Sequence, residues 1–386
     1  MKVLAIIAEF NPIHNGHIFL INQAIKKVKP DYIIILMSGN FTQQGNVAIY
    51  NKFVRSNLAI QNGADIVIEL PTIYANSSAE YFATSSINLL SKLGIVTNIF
   101  FGVEDTNISI LKSIVNKIIK SQDIINEKIK KNLKSGISYA SARSNALKNI
   151  LDEKEINIIS KPNNILAIEY LKALKKFKSK IKPNSINILE GIKATNIRKD
   201  IELNNFEALK NKVPENTFKI VQNTKANFND ELFYMLKYKI LVSNLNKIKN
   251  IYEVNEGLEN KIIRSCYYSN TYEEMIKNIK SKRYVESKIK RIMINILLNI
   301  DKDLFENLFK NNITYAHVLS ISKKGKKLLS EISKKSKIDV ITSLSQERIK
   351  NLDINIQNML SIDILASNIY SIIEKTDSNK DFTNKL

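Results

Sequence analysis

The first hundred residues alternate short apolar runs with longer amphipathic ones. Val3–Ala8, Tyr32–Met37 and Ile66–Leu70 carry almost no polar residue, the pattern of strands buried on both faces of a parallel sheet. Between them the spacing predicts helices from about Ile18 to Lys27, from Lys52 to Asn62-Gly63, and over 79–93. Asn98–Phe101 reads as a fourth strand that runs into Gly102. Such alternation predicts an α/β fold with right-handed crossovers. Residues 106–180 are mainly helical and Lys-rich, Ser185–Leu189 is a last strand, and a further helix opens near Thr195. Beyond about 205 the period is helical almost throughout, which predicts an all-α second half. The expected division is therefore 1–204 and 205–386, with the polar residues 376–386 frayed.

Composition narrows the class. In 386 residues, 44% hydrophobic, there is enough apolar surface for a sizeable core. One cysteine, Cys266, excludes a disulfide framework, and three histidines leave little room for a metal site built on them. No apolar run approaches the ~20 residues of a membrane span, and charged residues interrupt the start too early for a signal peptide. The expectation is a soluble, cytoplasmic protein with no membrane association and no stable protein partner. The net charge is +21, unevenly spread: +2 over residues 1–100, +10 over 101–200 and +9 over the rest. A nearly neutral front with a basic remainder fits a catalytic core beside a surface for a polyanion. Lys-rich codon bias is the competing account of the charge alone.

The segment with most chemistry is Glu9-Phe-Asn-Pro-Ile-His14-Asn-Gly-His17. It lies where the first strand ends, and open α/β sheets bind ligands beyond the carboxyl ends of their strands. A spacing of three puts His14 and His17 on one face of the next helix's first turn. Gly16 permits close approach, and a helix N-terminus suits phosphate. Two imidazole donors there would stabilise charge developing on a phosphate as pyrophosphate leaves. Plain helix capping is the alternative role for the pair.

His14-Asn15-Gly16-His17 resembles the H-x-G-H motif of the nucleotidyltransferase superfamily. That superfamily's second motif has its counterpart in Ile192-Lys-Ala-Thr195-Asn-Ile-Arg198, where Thr195 would cap a helix and reach phosphate and Arg198 would neutralise the triphosphate. Longer strings narrow the resemblance: Asn11–His17, Met37–Phe41, Gln44-Gly45, Gly63–Pro71, Phe101-Gly102, Pro162–Leu166, residues 256–260 and Lys280–Tyr284 are similar to the bacterial tRNA(Met) cytidine acetate ligase family. Val103 and Ala167 depart from it, standing where Ser and Gly are usual. The resemblance implies a Rossmann-like nucleotidyltransferase domain that activates acetate with ATP to acetyl-adenylate. It then acetylates N4 of the wobble cytidine of elongator tRNA(Met), with Mg2+ carried largely by the ATP and no metal held by the protein.

The resemblance also implies a site. Ile7, Ala8, Glu9, Phe10, Asn11, Pro12, Ile13, His14, Asn15, Gly16, His17, Ile18, Phe19 and Leu20 would line the ATP pocket, with His14, His17 and Arg198 catalytic. Gly102 would let nucleotide lie against bare backbone, and Asn163 would contact ATP or cap a helix. Ile188 and Leu189 would offer backbone groups to adenine or be plain core strand. Lys52 and Arg55 either face the tRNA or the phosphates or are solvated, and Cys266 and His317 read as structural. For RNA, the basic stretch 277–291 supplies Lys280, Lys282, Arg283, Lys288 and Arg291 for phosphates and Tyr284 for stacking; a solvated helix face is the plainer alternative. Lys323-Lys324-Gly-Lys326-Lys327 is a weaker basic loop. An adenylyltransferase that builds a small cofactor would use the same two motifs, but it has little need of a basic second half. A tRNA-binding protein with a vestigial nucleotide site would have no need of an intact His14, His17 and Arg198.

Overall fold

A computed structural model describes the chain except residues 138, 256 and 385; Glu256, first in the string 256–260, lies outside the described residues. Seven strands form one sheet: β1 (Val3–Ala8), β2 (Tyr32–Ser38), β3 (Ile66–Leu70), β4 (Asn98–Val103), β5 (Lys182–Asn187), β6 (Tyr315–Ile321) and β7 (Asp339–Ile341). Their order is β5-β4-β1-β2-β3-β6-β7. The first five strands are mutually parallel; β1 to β4 fall on the predicted runs, whereas β5 starts three residues before the expected Ser185–Leu189 and ends at Asn187. β1 is paired with β2 on one side and β4 on the other, so the strand order reverses at its carboxyl end.

Alternate strand residues face two layers. Leu4, Ile6, Ile33, Ile35, Met37, Val67 and Phe100 pack with Ile21 and Ala24 of helix Asn15–Val28 and with Leu58 and Ala59 of helix Lys52–Gln61. Val3, Ala5, Ile34, Leu36, Ile66, Ile68, Ile99 and Phe101 face the opposite layer, which holds helices Ala79–Lys92 and Pro162–Lys176. That second layer is continuous with the buried residues of helices Glu286–Leu298 and Ile354–Glu374.

Two strands depart from the helical reading of the second half. β6 lies antiparallel on β3, with His317 opposite Glu69, and β7 pairs with β6. The run Tyr315-Ala-His-Val-Leu-Ser-Ile321 is apolar enough for a buried strand, but the helices around it set the period on which the all-α expectation rested. The tail is also not frayed at its centre. Lys380–Thr383 is helical and Asp381 is buried against Lys52, with an Oδ1–Nζ distance of 2.5 Å.

Candidate active site

The site is assembled where β1 ends. Phe10 takes a left-handed backbone (φ 49°), the Asn11–Pro12 peptide is cis, and His14 is extended (φ −140°, ψ 169°) as the residue before helix Asn15–Val28. His17 Nδ1 accepts the His14 amide N–H at 3.2 Å. The two rings stack at 3.7 Å between centroids, and Phe10 meets His17 edge-on at 5.0 Å. A Cβ on Gly16 would lie 3.0 Å from His14 Cε1 and Nδ1, so glycine leaves that ring its place. His14 is buried and its Nδ1 has no partner. Burial, with Arg198 adding to it, lowers His14 to about 4, and burial beside His14 holds His17 well below the usual imidazole value. Both rings are therefore neutral near pH 7, and a neutral imidazole offers one N–H donor rather than a cation.

Arg198 reaches this segment from helix Ala194–Glu202. Its Nη1 donates to the Asn11 carbonyl at 3.0 Å and its Nη2 to Thr195 Oγ1 at 3.3 Å. Thr195 is not the helix cap. Lys193 occupies that position without a side-chain bond, and Thr195 is an exposed residue of the first turn that orients the guanidinium. The Glu9 carboxylate accepts from Gln43 N–H at 2.7 Å; burial raises its pKa against the opposing pull of that N–H, Arg198 and Arg55. The Asn11 side chain accepts from Ile49 N–H at 2.8 Å. Asn15 N–H is already taken by the Lys212 carbonyl, so only part of the helix N-terminus faces the site. Ile7, Ala8, Ile18, Phe19 and Leu20 are half-buried around it, while Pro12 and Ile13 are buried beneath.

The β4 and β5 ends complete the rim. The space in front of Gly102 is filled from one side: a Cβ there would come within 2.4 Å of Ile188 Cγ2, so the glycine seats that side chain rather than leaving bare backbone. Ile188 and Leu189 lie just past β5 and are 37% and 40% exposed, not core. Asn163 stands in the first turn of helix Pro162–Lys176, where its N–H and Nδ2 both donate to Glu104 Oε1 at 3.0 and 2.9 Å. The rim beyond Val103 is thus tied to that helix.

Residues 1–385 match the HIGH Nucleotidyl Transferase family. The tRNA(Met) cytidine acetate ligase of Thermoanaerobacter sp. (strain X514) is 39% identical over 401 residues, covering 98% of this chain and 97% of the relative. That of Clostridium perfringens (strain ATCC 13124) is 38% identical over 97% and 96%. The chain belongs to the tRNA(Met) cytidine acetate ligase family. Thermotoga maritima TmcAL bound with alpha-thio ATP superposes with a TM-score of 0.95 at 29% identity, covering 100% of this chain and 98% of that one.

Within this ligase fold, Lys52 and Arg55 do not face phosphate or solvent; both are fully buried. Arg55 donates to the carbonyls of Glu9, Ser38, Gly39 and Tyr50, which gathers the ends of β1 and β2 under the site. Lys52 Nζ bonds both Glu69 oxygens at 2.9 and 2.8 Å and pairs with Asp381, while His317 Nδ1 lies 3.0 Å from Glu69. Burial pushes Glu69 up, but Lys52 and His317 more than reverse it and hold it at about 2. Glu69, His317 and Asp381 have the spacing of a metal set, yet the Lys52 ammonium already supplies their counter-cation. The sequence signal for this cluster was a lone Glu inside an apolar strand, since a buried charge must be paired.

The basic stretch is only partly available to RNA. Arg291 is buried and bidentate to Glu253 at 2.9 and 2.8 Å, with Gly45 packed on its backbone. Tyr284 is buried, donates its hydroxyl to the Asn255 carbonyl at 2.9 Å, and carries Arg283 and Lys288 against its ring. Arg291 lies in helix Glu286–Leu298 among buried Ile289 and Ile292, and Tyr284 is buried in the bend just before that helix. Lys280 and Lys282 remain exposed, with Lys280 paired to Glu286 at 3.1 Å.

Proposed function

We propose that this chain is an ATP-dependent ligase that makes acetyl-adenylate and transfers its acetyl group to N4 of the wobble cytidine of elongator tRNA(Met). The observation that carries the reading is the convergence of stacked, neutral His14 and His17 with Arg198 at the carboxyl end of β1, where the strand order reverses. MgATP is the substrate, its metal carried by the phosphates. Acetate oxygen attacks the α-phosphorus and pyrophosphate leaves. The cytidine amine then attacks the acetyl carbon, a C–N bond forms, the mixed anhydride C–O bond breaks, AMP departs and the amine loses a proton.

Neither step needs a protein nucleophile, so the side chains act by position and charge. His14 and His17 donate to phosphate oxygens as charge builds, Arg198 neutralises the leaving pyrophosphate, and Thr195 holds Arg198 in place. Ile188, Leu189 and Gly102 form the adenine side, and Asn163, braced on Glu104, lines the same rim. All of these lie within residues 1–204; residues 205–386 would provide the tRNA surface, in a cytoplasmic enzyme.

The test is incubation with ATP, labelled acetate and bacterial tRNA, followed by detection of labelled N4-acetylcytidine. His17→Ala should reduce acetate-dependent pyrophosphate exchange by about 10²–10³-fold, as loss of a preorganised donor does, while tRNA affinity stays near wild type. Label transferred to a phosphorylated small molecule instead of tRNA(Met) would defeat the reading.

A further inference from the structure

With Tyr284 and Arg291 committed to the core, another face of the second half has the chemistry for RNA. Helix Phe233–Leu241 buries Phe233, Leu236 and Ile240. Its opposite stripe continues past the helix end as Tyr234, Tyr238, Leu241, Val242 and Leu245, and the two tyrosines are 78% and 69% exposed. Helix Leu258–Tyr268 runs beside it: Lys237 Nζ donates to the Ser269 carbonyl at 2.9 Å, and Cys266 Sγ lies 3.7 Å from the Lys237 carbonyl. That helix ends in Tyr267 and Tyr268, which also stand in solvent. Residues 232–252 contain four lysines and no Asp or Glu. Lys239 is held below the usual ammonium value by burial and by neighbouring Lys247, so like charges gather there with the tyrosines.

Exposed aromatic rings beside uncompensated cations are the elements with which proteins hold unpaired nucleotides, the rings stacking bases and the cations meeting phosphates. A second copy of this chain fits worse, since a two-fold contact would set the lysines of one copy against those of the other. We propose that this tyrosine face binds an unpaired loop of the tRNA substrate, with bases on Tyr234 and Tyr238 and phosphates on Lys247 and Lys249. The proposal rests on the acetate ligase reading above.

The test compares wild type, Y234A/Y238A and Y234F/Y238F with a tRNA(Met) transcript, measuring binding, acetylation and acetate-dependent pyrophosphate exchange. The alanine pair should weaken binding by at least about tenfold and the phenylalanine pair should bind near wild type, because stacking needs only the ring. Pyrophosphate exchange, which needs no tRNA, should continue in both and so reports an intact fold. Wild-type acetylation of tRNA with undiminished binding by the alanine pair would overturn the surface and leave the ligase reading standing. A wild type that neither binds nor acetylates the transcript would overturn both. A dimer turned monomer by the alanine pair in light scattering, with tRNA affinity kept, would make the face a self-association surface and overturn the proposal.

Discussion

The same pair of histidines that marks the site in the sequence is held in the structure in the form least stable in acid. His14 is buried, stacked and lowered to about 4, whereas in the unfolded chain it titrates at the ordinary 6.5. The unfolded chain then takes up a proton first as pH falls, so stability present above 6.5 is lost on acidification toward 4. At full effect the depression is worth up to roughly 3 kcal/mol. We expect His14→Gln to remove this dependence: between pH 7 and 4.5 its denaturation free energy should fall less than that of wild type. Parallel pH profiles for the two proteins would show that the ring is solvated. Carboxylates raised in the fold, such as Asp363 at about 7, are common to both proteins and cancel in the comparison.

At the scale of elements, the frame of the site depends on charges placed under it. Helix Lys52–Gln61 brings Lys52 to Glu69 of β3 and Asp381 of the tail, and Glu69 in turn meets His317 of β6, joining four segments distant in the chain. Removing one partner of a buried pair leaves an uncompensated charge, at a cost of about 3–5 kcal/mol. Lys52→Met should lower the denaturation free energy by that amount, because Glu69 and Asp381 remain. Asp381→Asn should cost less, since Glu69 still satisfies the ammonium. Equal and small losses in both variants, measured by urea titration, would mean that water reaches the cluster. Arg55 has the same character: its four carbonyl acceptors are the last residue of β2 and residues of the loops that follow β1 and β2, so a positioning role is built into a residue that never meets solvent.

For the whole molecule, the sheet and one continuous core layer cross the division expected at residue 204. β6 covers the edge of β3, and the layer holding Ile66 and Ile68 also holds Ile292, Met359 and Leu360. Residues 1–204 alone would expose a fully buried strand edge, take His317 from Glu69 and take Asp381 from Lys52. Expressed alone, this piece should aggregate or give the dispersed signals of an unpacked chain, and the full chain should unfold in one transition. A soluble, well-folded 1–204 fragment, seen by NMR, would restore the two-domain division. No helix among the described residues is long and apolar enough to cross a membrane.

The sequence by itself determined the first four parallel strands and the neighbourhood of the fifth, the position of the histidine pair at a strand end and the partner motif ending in Arg198. Each of these follows from local pattern, because period, chain breaks and helix starts act over a few residues. Tertiary structure alone decided which charges are buried and paired and which stay accessible. Lys52, Arg55, Tyr284 and Arg291 look like surface residues in a linear reading, and only long-range packing buries them. The same packing leaves Tyr234 and Tyr238 in solvent and turns a segment of the second half into β6. Burial is a property of contacts between distant segments, so residue type and spacing could not reveal it.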